Sequence, residues 1–184
     1  LILSLLLSAV SFSAELHFDG VLGNSGAAGD TLAGFSEKSA SGMGPVLDDA
    51  NTIWERGGST RLNRYALDGR LLASFELPDA NHRFHDQLTL VERQLLMLLG
   101  KYVYRLPVDA APGAKLERIE GQVEAMSSSA FAGRVAIYEQ GELFWLNAKT
   151  GGRTRFAHVE PGLRYLFVGD DGTVFGFTGN EVHA

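Results

Sequence analysis

The feature that most constrains this chain is a repeat. Residues 51–78, NTIWERGGSTRLNRYALDGRLLASFELP, divide into three short strand-like runs separated by two turn signals, Gly57-Gly58-Ser59 and Asp68-Gly69. Residues 95–119 and 134–159 follow the same order of apolar strand, tight turn, mixed strand, turn and charged strand. Tyr65, Leu106 and Leu146 occupy equivalent places, so the unit recurs after 41 and then 40 residues. That is the spacing of one four-stranded blade of a β-propeller.

Each unit has two kinds of strand that physical reasoning can tell apart. The second strands, LLMLL at 95–99 and VAIY at 135–138, are continuously apolar, as a strand covered on both faces must be. The fourth strands carry charges at alternate positions, Lys115 and Glu117 in one, Arg153 and Arg155 in another, which suits a solvated rim. The fold expected is all-β, a β-propeller fragment of about three and a half four-stranded antiparallel blades. Strands are expected at 45–48, 52–56, 60–67 and 70–77; at 86–91, 95–99, 102–108 and 115–119; at 123–128, 134–138, 142–148 and 153–159; and at 164–168, 174–178 and 181–184. The blades are thus 45–78, 79–119, 120–159 and an incomplete 160–184. Unpaired blade faces cannot bury themselves, and the natural protein is expected to continue beyond both ends of the sequence.

Composition agrees with this architecture. Eleven Phe, five Tyr and 22 Gly in 184 residues suit strands filled by aromatics and joined by tight turns. A formal charge of −6 without a basic stripe argues against nucleic acid as a partner, since Arg61, Arg64 and Arg70 are offset by Glu55 and Asp68. At strand spacing those arginines read as outer side chains lying over apolar surface. The chain has no Cys, so stability must come from burial rather than cross-links.

The first residues read differently. Residues 1–10, LILSLLLSAV, are too short for a membrane span and match the apolar core of a secretory signal, with Ser11-Phe12-Ser13 as the cleavage region and a mature chain from about Ala14; a cut after Ser11 is the competing choice. Residues 1–13 are therefore expected to be a signal remnant. Residues 14–44 are an N-terminal strand, ELHFDGVL, and a lead-in rich in Gly, Ser and Ala. That strand is a candidate for closing the ring. The localisation expected is secreted or periplasmic, with no membrane insertion once the signal is removed.

Residues 23–75 resemble the NHL-type repeat of six-bladed β-propellers, in the TolB-like group. The elements are GNSGAAGD at 23–30, Gly44 to Asn51, Thr52-Ile53-Trp54, Arg61-Leu62, Arg64-Tyr65 and Asp68-Gly69. The second blade lacks the Arg-Leu pair and has a longer loop, 109–114, in place of Asp-Gly. The resemblance implies a binding platform for protein, peptide or glycan. A minority of such propellers are metal-assisted lyases or lactonases, and that is the alternative function.

No cofactor, metal site or catalytic set is called for by the sequence. Asp170-Asp171-Gly172 lacks the alternating acids of a calcium loop and reads as a hairpin turn, and no phosphate-binding or nucleophile-elbow motif is present. Ser127, Ser128 and Ser129 lie near the axis, where they either line a polar channel or bond to neighbouring backbone. Trp145 stands where the other blades have Arg64 and Arg105, and reads as packed between blades. His17, His158 and His183 are scattered singly and read as surface or structural.

The densest polar run is Asn81-His82-Arg83-Phe84-His85-Asp86, in the connection between the first and second blades. Turns between second and third strands and the connections between blades share one face of a propeller. Loops on a rigid scaffold are where binding residues gather. His82, Arg83, His85 and Asp86 are thus the candidate ligand-binding residues, read as exposed groups offering charge and directed hydrogen bonds.

Overall fold

The computed structural model describes residues 45–57, 60–78, 86–178 and, as backbone, 182–183. The expected strands at 14–44 and the signal segment lie outside these residues. Within them the protein is all-β, with three four-stranded antiparallel sheets and one of three strands, each a meander of consecutive strands. The first sheet holds β1 (Val46–Leu47), β2 (Thr52–Gly57), β3 (Arg61–Ala66) and β4 (Leu71–Glu76). The second holds β5 (Gln87–Val91), β6 (Gln94–Leu99), β7 (Tyr102–Pro107) and β8 (Glu117–Gly121). The third holds β9 (Ala125–Met126), β10 (Arg134–Glu139), β11 (Glu142–Asn147) and β12 (Arg153–His158). The last holds β13 (Tyr165–Val168), β14 (Val174–Phe177) and β15 (Val182–His183).

The repeat equivalence is a pairing equivalence. Tyr65, Leu106 and Leu146 stand opposite Ile53, Leu95 and Val135 in the second strands of their sheets. The same register carries Glu55 onto Met97 and Ile137, and Arg64 onto Arg105 and Trp145. Each third–fourth strand pair also contains a bulge, after Arg64, Val103 and Leu143, which increases the local twist.

Alternation sends neighbouring side chains of a second strand into different cores. Leu95, Met97 and Leu99 pack on Trp54, Leu62 and Phe75 of the first blade. Leu96 and Leu98, between them in sequence, pack on Val135, Ile137 and Leu146 of the third. Ala136, Tyr138 and Leu143 then meet Leu163, Leu166 and Val168 of the fourth. The second and third sheets are therefore each shared between two seams. Fully burying one such aliphatic side chain contributes about 1.5–3 kcal/mol.

Two strands differ from expectation for identifiable reasons. In the second blade the outer strand begins at Glu117, because residues after Pro107 make two successive turns, Ala110 N–H to Pro107 O and Ala114 N–H to Ala111 O. In the third blade the inner strand stops at Met126, because Ser128 N–H turns away to Leu166 O of the fourth blade at 3.1 Å.

Candidate functional site

The face predicted to bind ligand is formed by the β2–β3, β6–β7 and β10–β11 turns and by the connections between blades. Of its four candidate residues, His82, Arg83 and His85 lie outside the described residues. Asp86 does not stand at the surface. It is 1% exposed, and its carboxylate accepts a 3.0 Å bond from Arg56 Nη1 of the first blade and a 3.0 Å bond from Gly100 N–H in the turn of its own blade. The Arg56 side chain is 9% exposed, so both charges are buried together. Burial lowers the Arg56 guanidinium pKa, and the Asp86 charge and hydrogen bond oppose that shift. The physical reason for the misreading is that Asp86 sits at the root of the connection, where packing needs an anchor for the Gly100 turn.

At the inner ends of the blades the polar groups are also engaged. Thr89 Oγ1 donates to Ser127 O at 2.7 Å, and Gln87 Oε1 accepts from Met126 N–H at 3.0 Å, tying the second blade to the third. Ser129 Oγ donates to Val168 O at 2.8 Å and accepts from Val168 N–H at 2.7 Å, tying the third to the fourth. Ser127 Oγ donates to Ser129 O and accepts from Ala136 N–H. The serine hydroxyls Ser127 and Ser129 thus bond to backbone, the second of the two roles open to them.

Further out, arginines repeat the tie. Arg64 Nη1 reaches Val108 O of the next blade at 2.7 Å, and Arg105 Nη1 reaches Ala148 O of the blade after it at 2.9 Å. Arg64 also lies 5.3 Å over the Trp54 ring, as expected of an arginine spread on apolar surface. In the third blade Trp145 takes this place, stacked on Phe156 at 4.9 Å and packed against the seam with the fourth blade. The signal for these ties was visible as Arg recurring at equivalent places; the carbonyl each one reaches was not.

The opposite face carries acidic and basic turns. Arg93 pairs with Asp49 at 2.6 Å and Lys149 with Glu92 at 3.5 Å, each bond crossing between blades among exposed side chains. Asp171 accepts from Thr173 N–H and Thr173 Oγ1, both at 2.9 Å, and these two bonds hold its carboxyl below the usual range. That geometry is a turn cap. His158 is an exposed surface residue whose Nδ1 lies 3.0 Å from Glu142 Oε1. The side chain of His183 and all of His17 lie outside the description.

One buried carboxyl has no counterpart in the other blades. Glu55, 7% exposed, occupies the place of Met97 and Ile137, and burial raises its pKa. Beside it Asn63 is satisfied by Tyr65 and Ser74, with Nδ2 donating to Tyr65 Oη and Oδ1 accepting from Ser74 Oγ, both at 2.8 Å.

No family model matches the sequence, and no curated protein sequence does either. Solved structures do. BamB from Moraxella catarrhalis superposes with a TM-score of 0.54 at 14% identity, over 75% of this chain and 40% of that one. The WD40 domain of Neurospora crassa Pan2 gives 0.53 at 12% identity, over 72% of this chain and 42% of that one. These sheets are β-propeller blades. The dihydro-heme d1 dehydrogenase NirN matches too, at a TM-score of 0.54 and 18% identity, over 72% of this chain and 32% of that one. Proteins of such different kinds share the fold alone with this propeller, which spans less than half the length of each. No helix among its described residues is long and apolar enough to cross a membrane.

Proposed function

We propose that this propeller is an exported, non-catalytic binding or scaffold module for a protein, peptide or glycan, engaged through the face that carries the connection at 79–85. The observation that supports this reading is that Asp86, the residue that follows the connection, is held by both Arg56 and Gly100. His82, Arg83 and His85 are the ligand-contacting residues in this reading, and Asp86 is the residue that positions them. The hydroxyls of Thr89 and Ser129 act as ties between blades, which suits a scaffold. The apolar run at 1–10 supports export, and the resemblance of 23–75 supports an NHL-type repeat within the fold.

The test is a binding screen of the purified protein against peptide and glycan arrays and against proteins of its own compartment. Any ligand found is then measured on the His82→Ala/Arg83→Ala/His85→Ala variant. Weakening by about tenfold or more, with thermal stability unchanged, supports the assignment, that factor being about 1.4 kcal/mol. Unchanged affinity, with loss on replacing Glu92 and Arg93, puts the site on the opposite face. N-terminal sequencing of the exported protein tests the start near Ala14.

A further inference from the structure

The third blade departs from the repeat at three points that meet in one place. Its turn between inner and second strands runs from Ser127 to Gly133, where the second blade has only Glu92-Arg93, and the added length carries Phe131. Arg134 stands where the other blades have Thr52 and Gln94, and Trp145 stands where they have Arg64 and Arg105. The arginine has in effect moved from the third strand to the second. That move frees its charge: Arg64 and Arg105 each donate to a carbonyl of the next blade, whereas the Arg134 guanidinium lies 5.2 Å over the Trp145 ring and has no hydrogen-bond or ion-pair partner among the described residues. Phe131 lies 6.5 Å from Trp145, and Phe156 stacks on Trp145 at 4.9 Å and is 39% exposed. Departures from a repeat that converge on one spot are expected of a functional site, and long loops on a rigid scaffold are where such sites form.

Two acids on adjoining turns are already engaged. Gly133 comes so close to Glu92 that a Cβ there would lie 2.5 Å from Oε1, yet Glu92 pairs with Lys149. Gly172 backs on Phe131, at 2.9 Å by the same measure, but its neighbour Asp171 is held by Thr173. The planar fork of Arg134 is therefore open to a carboxylate from outside, which it can hold through two parallel hydrogen bonds. The rings beside it suit a flat apolar face. A hexuronic acid carries both on one ring, a face of C–H groups and a carboxylate fixed to it, whereas an acidic peptide side chain has the carboxylate without the face. The chain's formal charge of −6 disfavours a polyanion, so the match is to one acidic sugar in an otherwise neutral glycan.

We propose that Phe131, Arg134, Trp145 and Phe156 form a subsite for a glycan carrying a single uronic acid, with the carboxylate on the Arg134 guanidinium and the sugar face on the exposed Phe156 ring. The subsite lies toward the face that carries Arg93 and Lys149, opposite the 79–85 connection, and is independent of the binding reading given above.

The test titrates the purified protein with glucuronic acid linked to glucose, and separately with the methyl ester of that disaccharide, following the tryptophan indole N–H signals by nitrogen–proton correlation NMR. The chain has two tryptophans and Trp54 is fully buried, so the result expected is a saturable shift of the Trp145 signal alone. The ester keeps the ring and loses the charge, and should bind at least about tenfold more weakly, as should the acid to Arg134→Gln, because a hydrogen bond to a charged group is worth about that factor or more. The His82→Ala/Arg83→Ala/His85→Ala variant should bind the acid as the parent does. The absence of a saturable shift in the millimolar range, a shift of the Trp54 signal alone, equal binding of acid and ester, unchanged affinity in Arg134→Gln, or weaker binding in the triple variant overturns the proposal. The comparison of acid with ester uses the unaltered protein and so decides the matter even where Arg134→Gln does not fold.

Discussion

Replacing Asp86 by Ala removes a carboxylate that two blades share. The Arg56 guanidinium stays buried behind it, and the Gly100 N–H loses its acceptor. Removing one partner of a buried ion pair costs about 3–5 kcal/mol. A loss of about 4 kcal/mol lowers the folding equilibrium constant roughly a thousandfold, and with a urea slope near 2 kcal/mol/M it moves the midpoint down by about 2 M. Urea unfolding followed by tryptophan fluorescence suits the measurement, since Trp54 is fully buried in the same seam. Adding Arg56→Met to Asp86→Ala removes the buried guanidinium as well and is expected to restore about 1–3 kcal/mol, the usual range of coupling for contacting groups. A midpoint for Asp86→Ala within about 0.3 M of the parent, or no recovery in the double variant, would refute the account of a buried, mutually dependent pair. Asp86→Ala is also unsuitable as a probe of binding, because its effect on folding would be mistaken for an effect on affinity.

Glu55 has a folded-state pKa above its ordinary value, so its stabilising contribution is complete below the ordinary carboxylate range and is lost as pH rises through the shifted pKa. Glu55→Gln should match the parent in melting temperature near pH 4 and exceed it at pH 7; an unchanging difference across that range would contradict the assignment. Arg105→Met keeps the stem but abandons the bond to Ala148 O, and should cost about 1–3 kcal/mol in urea unfolding, whereas Lys115→Met on the outer edge should cost under about 0.5. The two-residue turn Glu92-Arg93 has φ of 43° and 63°, left-handed at both positions. Glu92→Asn with Arg93→Gly should raise stability by about 1 kcal/mol despite the loss of two exposed ion pairs, and a lowered melting temperature would count against strain in this turn.

The second strands were legible because a sheet buried on both sides writes an unbroken apolar run, LLMLL or VAIY, with a glycine turn soon after it. The register was legible too, through the recurrence of Tyr65, Leu106 and Leu146. What escaped depends on partners far along the chain. Asp86 reads as a polar loop residue until Arg56, 30 positions earlier, is placed against it. Ser129 reads as axial until Val168, 39 positions later, takes both sides of its hydroxyl. The Glu92-Arg93 turn has neither Asn nor Gly to advertise its left-handed backbone, so only the pairing of Val91 with Gln94 reveals it. Among the candidate site residues, Asp86 is the one described, and its burial was not legible in the sequence.

Leu95 and Leu96 are neighbours in the chain and strangers in the fold, since one belongs to the core before its sheet and the other to the core after it. Mutations at adjacent codons therefore act on separate joints. Selection can loosen or tighten the hinge line between one pair of blades while the next pair keeps its fit, and a change that fails in one joint need not spread beyond the two sheets that share it. A row of such joints lets a propeller alter its blades one at a time.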